Sequence, residues 1–193
     1  MINVITFKMT GISEILMNNP ASMNEQGSTS VRTKKVLPKE DAEKRLYLTE
    51  DGNFYIPSIA FLRGLWQGAA YQKIGKDSAR SLIQASVFLT EEQTVLLNKD
   101  TEKPISEYEI DSRTVVIKST GGRIMRHRPK VKNWMCLLSL EIDSDFIPAD
   151  MLITLFNRAG RMIGVMDYRP EKRGSFGRYT VELYQNNKKK RTK

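Results

Sequence analysis

Residues 2–10, Ile-Asn-Val-Ile-Thr-Phe-Lys-Met-Thr, alternate. Ile2, Val4, Thr6 and Lys8 fall on one side and Asn3, Ile5, Phe7 and Met9 on the other, the period of a buried or half-buried strand that Gly11 ends. Residues 18–44 are polar and predict a long loop or mobile insertion, with a short helix over 39–44. Residues 45–57 predict a small hairpin turned at Asp51-Gly52. Ser58 offers an N-cap. Phe61, Leu62, Leu65, Trp66, Ala69 and Ala70 then recur at three- and four-residue steps, predicting an amphipathic helix that ends near Gly75. Trp66 and Phe61 lie on its apolar stripe and read as core. Strands are predicted over 86–89, 94–97, 113–119 and, most clearly, 133–142. Pro148 suits the first turn of a second helix. Met151, Leu152, Leu155, Phe156 and Ala159 form its buried side, and Gly160 supplies its C-terminal cap. A closing strand over 178–184 sets Tyr179, Val181 and Leu183 against Thr180, Glu182 and Tyr184. The basic tail over 188–193 reads as disordered.

Reduced to its main elements, the chain is strand, helix, strands, strand, helix, strand. That is the βαββαβ order of an α+β, ferredoxin-like antiparallel sheet with helices on one face. One domain over 1–187 is expected. It carries insertions at about 18–44 and 98–132, the second holding a basic hairpin.

Charge changes the picture. The 193 residues carry 31 Lys and Arg against 22 Asp and Glu, a net charge of +9. Such an excess favours nucleic acid or an anionic membrane as partner. Cys136 and His127 are the only residues of their kinds, so no disulfide forms within the chain and a zinc site is nearly excluded. No cofactor or metal is expected. No apolar run is long enough to cross a bilayer, and the N-terminus lacks the pattern of a signal peptide. These features predict a soluble cytoplasmic protein with no membrane partner.

The cations cluster. Arg113, Lys118, Arg123, Arg126, Arg128, Lys130 and Lys132 lie in a stretch with no acidic residue from Ser112 to Asn133, and Thr120-Gly121-Gly122-Arg123 marks a turn within it. A basic hairpin of this kind can neutralise several phosphates at once; the same pattern also fits a solvated surface hairpin. Arg158, Arg161, Arg169, Lys172, Arg173 and Arg178 crowd the end of the second helix and a loop holding Gly174, Phe176 and Gly177. Glycine permits close backbone approach, arginine grips phosphate with a planar fork, and aromatic rings offer faces to bases. A phosphate there could meet loop N–H groups and guanidinium forks together. The alternative is a glycine-rich turn whose arginines pair with Asp167 and Glu171. Gly64 and Gly68, inside the first helix, fit close packing of the helix on the sheet, or else close approach to a backbone ligand, and packing is the preferred reading.

The run Phe54-Tyr55-Ile56-Pro57-Ser58-Ile59-Ala60-Phe61-Leu62-Arg63-Gly64 resembles the entry to the first helix in the RAMP superfamily of CRISPR proteins. Gly174-Ser175-Phe176-Gly177-Arg178 resembles that superfamily's glycine-rich loop, and the first strand followed by residues 11–17 resembles its N-terminal edge. The match is better to the branch of backbone subunits, which polymerise along guide RNA. The resemblance implies a modified RRM-like fold, guide RNA held along the sheet and glycine loop, and a finger between guide-bound bases, with residues 113–132 as the candidate. It places Arg63, Lys73 and Lys76 near the guide backbone and implies other copies and other effector subunits as partners. The chain departs from that pattern in its small size, its glycine-poorer loop and the lack of an assignable catalytic aspartate.

The expected function is a non-catalytic RNA-binding subunit that polymerises along a CRISPR guide. One alternative is a RAMP-type endoribonuclease processing guide precursors, for which His127, flanked by Arg126 and Arg128, is the candidate base. Another is a phage or plasmid protein binding single-stranded nucleic acid. A metal nuclease needs clustered carboxylates; Asp143 and Asp145 are close in sequence, but they sit at a strand-to-helix turn where helix capping accounts for them.

Overall fold

The computed structural model describes residues 1–20, 37–117 and 119–185. Most of the polar insertion, Lys118 and the tail over 188–193 lie outside the described residues. In chain order the elements are β1 (Ile2–Gly11), β2 (Ile15–Leu16), α1 (Pro38–Glu43), β3 (Tyr55–Pro57), α2 (Ser58–Gly68), β4 (Lys73–Ile74), β5 (Asp77–Ser78), α3 (Ala79–Ser86), β6 (Val87–Leu89), β7 (Gln93–Val95), β8 (Leu97–Asn98), β9 (Glu109–Val116), β10 (Arg123–Val131), β11 (Trp134–Asp143), α4 (Ala149–Met162) and β12 (Tyr179–Leu183).

The main sheet runs β12-β1-β11-β6, all antiparallel. With α2 after β1 and α4 after β11, this is the strand order of a ferredoxin-like βαββαβ fold. The register explains why the alternation of β1 works. Met9 stands between Cys136 and Val181, and Phe7 beside Leu138, so one row of apolar side chains crosses three strands and is buried. Phe156 of α4 meets Phe7 at 5.5 Å between ring centroids, and Phe61 of α2 meets Tyr179 edge-on at 5.4 Å. The other face of the sheet stays open. Val4, Glu141 and Phe88 form one row there, and Lys8 pairs with Glu182 at 3.5 Å.

Close packing of α2 on α4, and of α4 on the sheet, fixes two glycines. A Cβ on Gly68 would stand 3.1 Å from the Ala159 Cβ, and one on Gly160 would stand 2.1 Å from the Tyr179 carbonyl oxygen. The sequence makes Gly160 the C-cap of α4; instead the helix runs on to Met162, and Gly160 lets α4 lie against β12. Two features of α2 also differ from expectation. It ends at Gly68, because the apolar stripe stops at Ala69 and a tight β4–β5 turn at Gly75 (φ +61°) follows. Ser58 is not its cap: Pro57 is, and the Ser58 hydroxyl is buried 2.7 Å from that of Thr94. The hairpin turn at Gly52 forms (φ +78°), with a Leu48–Phe54 bridge, but β3 takes β7 as its strand partner. α3, with only Ala79, Ile83 and Ser86 buried, carries too short a stripe to be seen in the sequence.

A second sheet, β2-β10-β9, leaves the main one as a hairpin, turned at Gly121 (φ +68°). α1 packs against it. The Asp41 carboxylate accepts the His127 main-chain N–H at 3.0 Å and an Arg45 N–H at 2.8 Å. Burial opposes the charge on Asp41, and these two donors outweigh it and hold its carboxyl below the ordinary value.

Candidate nucleic-acid interface

The hairpin and the loop between α4 and β12 meet. Arg113 of β9 extends its guanidinium over two loop rings, 5.3 Å from the centroid of Tyr168 and 4.8 Å from that of Phe176. Its Nε donates to Asp111 Oδ1 at 2.7 Å, which raises the pKa of Arg113 further. Behind this contact Arg128 of β10, almost fully buried, lies 3.0 Å from Asp167 in an ion pair whose angle falls short of a hydrogen bond. Asp167 is fixed in turn by its N–H, which donates to Leu16 O of β2 at 3.1 Å. The two basic segments are therefore in direct contact.

The loop is held by its own backbone. Gly164, Met166, Tyr168, Arg173 and Gly177 all have positive φ, between +53° and +72°. Gly174 N–H donates to Arg169 O, Phe176 N–H to Tyr168 O, Gly177 N–H to Glu14 O and Arg178 N–H to the Ser13 hydroxyl, at 2.8–3.2 Å. This corrects the expectation that these N–H groups meet a phosphate: they are already used. The glycines serve the loop's packing on itself. A Cβ on Gly174 would lie 1.7 Å from Tyr168 O, and one on Gly177 1.8 Å from Val165 O. Phe176 is buried beneath Arg113 and Tyr168, and so supports the surface from below.

Beside the loop lies a cleft of about 570 Å³, walled by Ile59, Ala60, Arg63 and Gln67 of α2 and by residues 163–167, Arg169, Glu171 and Lys172. First-turn amides of a helix lack intrahelical acceptors, and the dipole there is positive. α2 has no side-chain cap and no acidic residue in its first turn, so nothing on the helix itself offsets that field. Under the cleft, near Gly64, the Tyr179 hydroxyl is buried without a hydrogen-bond partner among the described residues.

The predicted cations divide into paired and unpaired sets. Lys130 and Lys132 both bind Glu109, at 2.8 and 2.5 Å, and hold its carboxyl at about 2. Asp111 lies opposite Arg128 in the register and binds Arg113. The stretch from Ser112 to Asn133 has no acidic residue, yet antiparallel pairing supplies counter-charge from the residues just before it. Arg169 binds Glu171 at 2.5 Å, and Lys172 approaches the same carboxylate at 3.9 Å. Among the described residues, Arg63, Lys73, Lys76, Arg123, Arg126, Arg158, Arg161, Arg173 and Arg178 have no carboxylate within ion-pair distance. Arg158 donates to Gln72 at 3.4 Å. Burial, followed by the charge of Arg45, lowers the pKa of Arg126. Lys73 and Lys76 sit on the β4–β5 turn beyond the C-terminal end of α2, away from Arg63.

The His127 ring engages Ser112, Nδ1 to Oγ at 2.7 Å, and no carboxylate touches the ring among the described residues. Asp143 and Asp145 do not cap α4; both bind the Met1 ammonium. No group of three His, Cys, Asp or Glu side chains able to hold a metal occurs among the described residues. Among the described residues no helix is long and apolar enough to cross a membrane. Sequence reasoning missed Tyr168, Asp41 and Arg45, whose importance lies in contacts between segments far apart in the chain.

An antiparallel ferredoxin-like sheet with two helices on one face, an inserted hairpin and a glycine loop before the last strand gives the chain a RAMP-like fold. Among solved structures it is similar to a chain of the type III-B Cmr-beta complex bound to cognate target RNA, with a TM-score of 0.55 at 12% identity. The match covers 95% of this chain and 59% of that one, so this chain spans about three-fifths of its neighbour's length. Cmr6 from Pyrococcus furiosus aligns with a TM-score of 0.46 at 13% identity, over 95% of this chain and 98% of that one. No family model matches the sequence, and no curated protein matches it.

Proposed function

We propose that the protein is a non-catalytic RNA-binding subunit of a cytoplasmic CRISPR effector complex, and that further copies and other subunits assemble with it along a guide RNA. The observation that carries this reading is the union of the two basic segments through Arg113, Tyr168 and Phe176. On the hairpin Arg126 lies opposite Arg113 in the register, and on the loop Arg173 follows Lys172 of the cleft wall; both are free of carboxylate partners among the described residues. A flexible sugar-phosphate strand suits such a surface, since phosphates find separated cations and bases find aromatic faces. The RAMP-like fold supports the CRISPR assignment. The open face of the main sheet, with Glu141, Glu182 and apolar side chains, favours a strand path over hairpin, loop and cleft rather than along the sheet.

Titration with single-stranded RNA, single-stranded DNA and duplex RNA of one length at one salt concentration tests the binding. Native mass spectrometry on RNAs of rising length tests the assembly. The proposal expects preference for single-stranded RNA and one added copy per fixed increment of length. Preference for single-stranded DNA supports the phage or plasmid reading instead, and RNA cleavage abolished by His127→Ala supports the endoribonuclease.

A further inference from the structure

We infer that Tyr168 is a stacking platform for an unpaired nucleobase, a role that rests on the RNA-binding reading above and adds a residue to it. Tyr168 is a left-handed residue (φ +53°) that is also an aromatic with 39% of its surface exposed. Neither property favours folding: stability alone would place glycine or asparagine at that backbone position and a polar side chain at that surface. Strained residues of this kind persist where the surroundings over-determine them, commonly at ligand sites. Here the surroundings do so from three sides. Asp167 Oδ1 accepts the Tyr168 N–H at 2.9 Å, Phe176 N–H donates to its carbonyl at 3.2 Å, and Gly174 leaves room for that carbonyl.

The ring is fixed as firmly as the backbone. Phe176 meets it at 6.2 Å and 60°, and the Arg113 guanidinium lies over it. Phe176 gives Arg113 a second aromatic partner, at the shorter distance of 4.8 Å. What Tyr168 adds is a π surface that reaches solvent, immobilised before any ligand arrives, with Arg113 of the hairpin over it and Arg173 next to Gly174, which packs on it. A base stacked on the ring would have its flanking phosphates within reach of these cations, the arrangement used for sequence-tolerant capture of single strands.

The test uses the full-length protein, an oligouridine RNA and an abasic strand of the same length. Wild-type protein is expected to bind the RNA more tightly than the abasic strand. Tyr168→Gly, which removes the ring while relieving the left-handed backbone, should bind the RNA roughly 5- to 150-fold more weakly, match its own affinity for the abasic strand, and keep the wild-type salt slope. Tyr168→Phe should bind as wild type. A thermal melt establishes that both variants are folded. If Tyr168→Gly keeps the wild-type preference for bases, the stacking role is overturned while RNA binding stands. Equal wild-type affinity for RNA and abasic strand overturns it as well. Absence of any strand binding by wild-type protein removes the RNA-binding reading itself, and the inference with it.

Discussion

Gly177→Ala separates two reasons for a glycine in the loop between α4 and β12. If the residue exists so that a ligand can approach the backbone, an added methyl group costs binding and leaves folding intact. The geometry says otherwise. Gly177 has φ +69°, and a Cβ there would stand 1.8 Å from the carbonyl oxygen of Val165, against the 3.0 Å below which real Cβ contacts essentially never fall. Left-handed backbone on a non-glycine residue costs about 1–2 kcal/mol. Moving the two chain segments apart by more than 1 Å disrupts the bonds Val165 N–H to Gly177 O and Gly177 N–H to Glu14 O. Each contributes about 1 kcal/mol. The expected loss is thus roughly 3–4 kcal/mol, a large part of the 5–15 kcal/mol typical of a domain. Urea denaturation followed by circular dichroism reads it as a fall in midpoint at unchanged slope. An unfolding free energy within about 0.5 kcal/mol of wild type, combined with weakened RNA binding, would refute the packing explanation.

Two further substitutions test the fold around the site. Gly160→Ala gains about 1 kcal/mol of helix propensity, but its Cβ would meet the Tyr179 backbone at 2.1 Å; a net loss of about 1–2 kcal/mol is expected after overpacking, and a rise in the urea midpoint contradicts it. Asp41→Asn should lower the thermal midpoint at pH 7 by roughly 3–6 °C, through loss of charge-assisted bonds to Arg45 and His127. The Asp41 pKa is depressed below 3.8, so its contribution is fully present above that pH and disappears as the pH falls below it. The gap between variant and wild type should therefore close in acid, and a gap that persists unchanged at pH 2 counts against the assignment.

The six-element frame was legible because its long strands and two main helices carry clean periods of two and 3.6. β1 alternates, and the stripe from Phe61 to Ala69 leaves little choice. α3 and the β4–β5 turn were not legible, since eight residues whose two large apolar side chains, Leu82 and Ile83, are adjacent give no period. Gly160 misled because a glycine near a helix end looks the same whether it caps the helix or admits a neighbour. The cations of the site were legible as clusters, but their neutralisation was not. Glu109 reaches Lys130 and Lys132 only through the β9–β10 register, and register is a property of the folded pair. The glycine loop was legible as a backbone in need of freedom. That its N–H groups are already bonded to Glu14, Ser13 and the loop itself follows only from the path of distant segments.

The most direct test of a shared surface is the salt dependence of single-stranded RNA affinity in variants drawn from its two halves. Each phosphate contact contributes about 0.7 to the slope of log K against log salt. Arg63→Ala with Arg173→Ala on the cleft and loop, and Arg123→Ala with Arg126→Ala on the hairpin, should each weaken binding and flatten the slope, by about 1.4 if every side chain holds one phosphate. Combining all four should add the two effects. If either pair leaves both affinity and slope at the wild-type value, hairpin and loop do not bind one strand together.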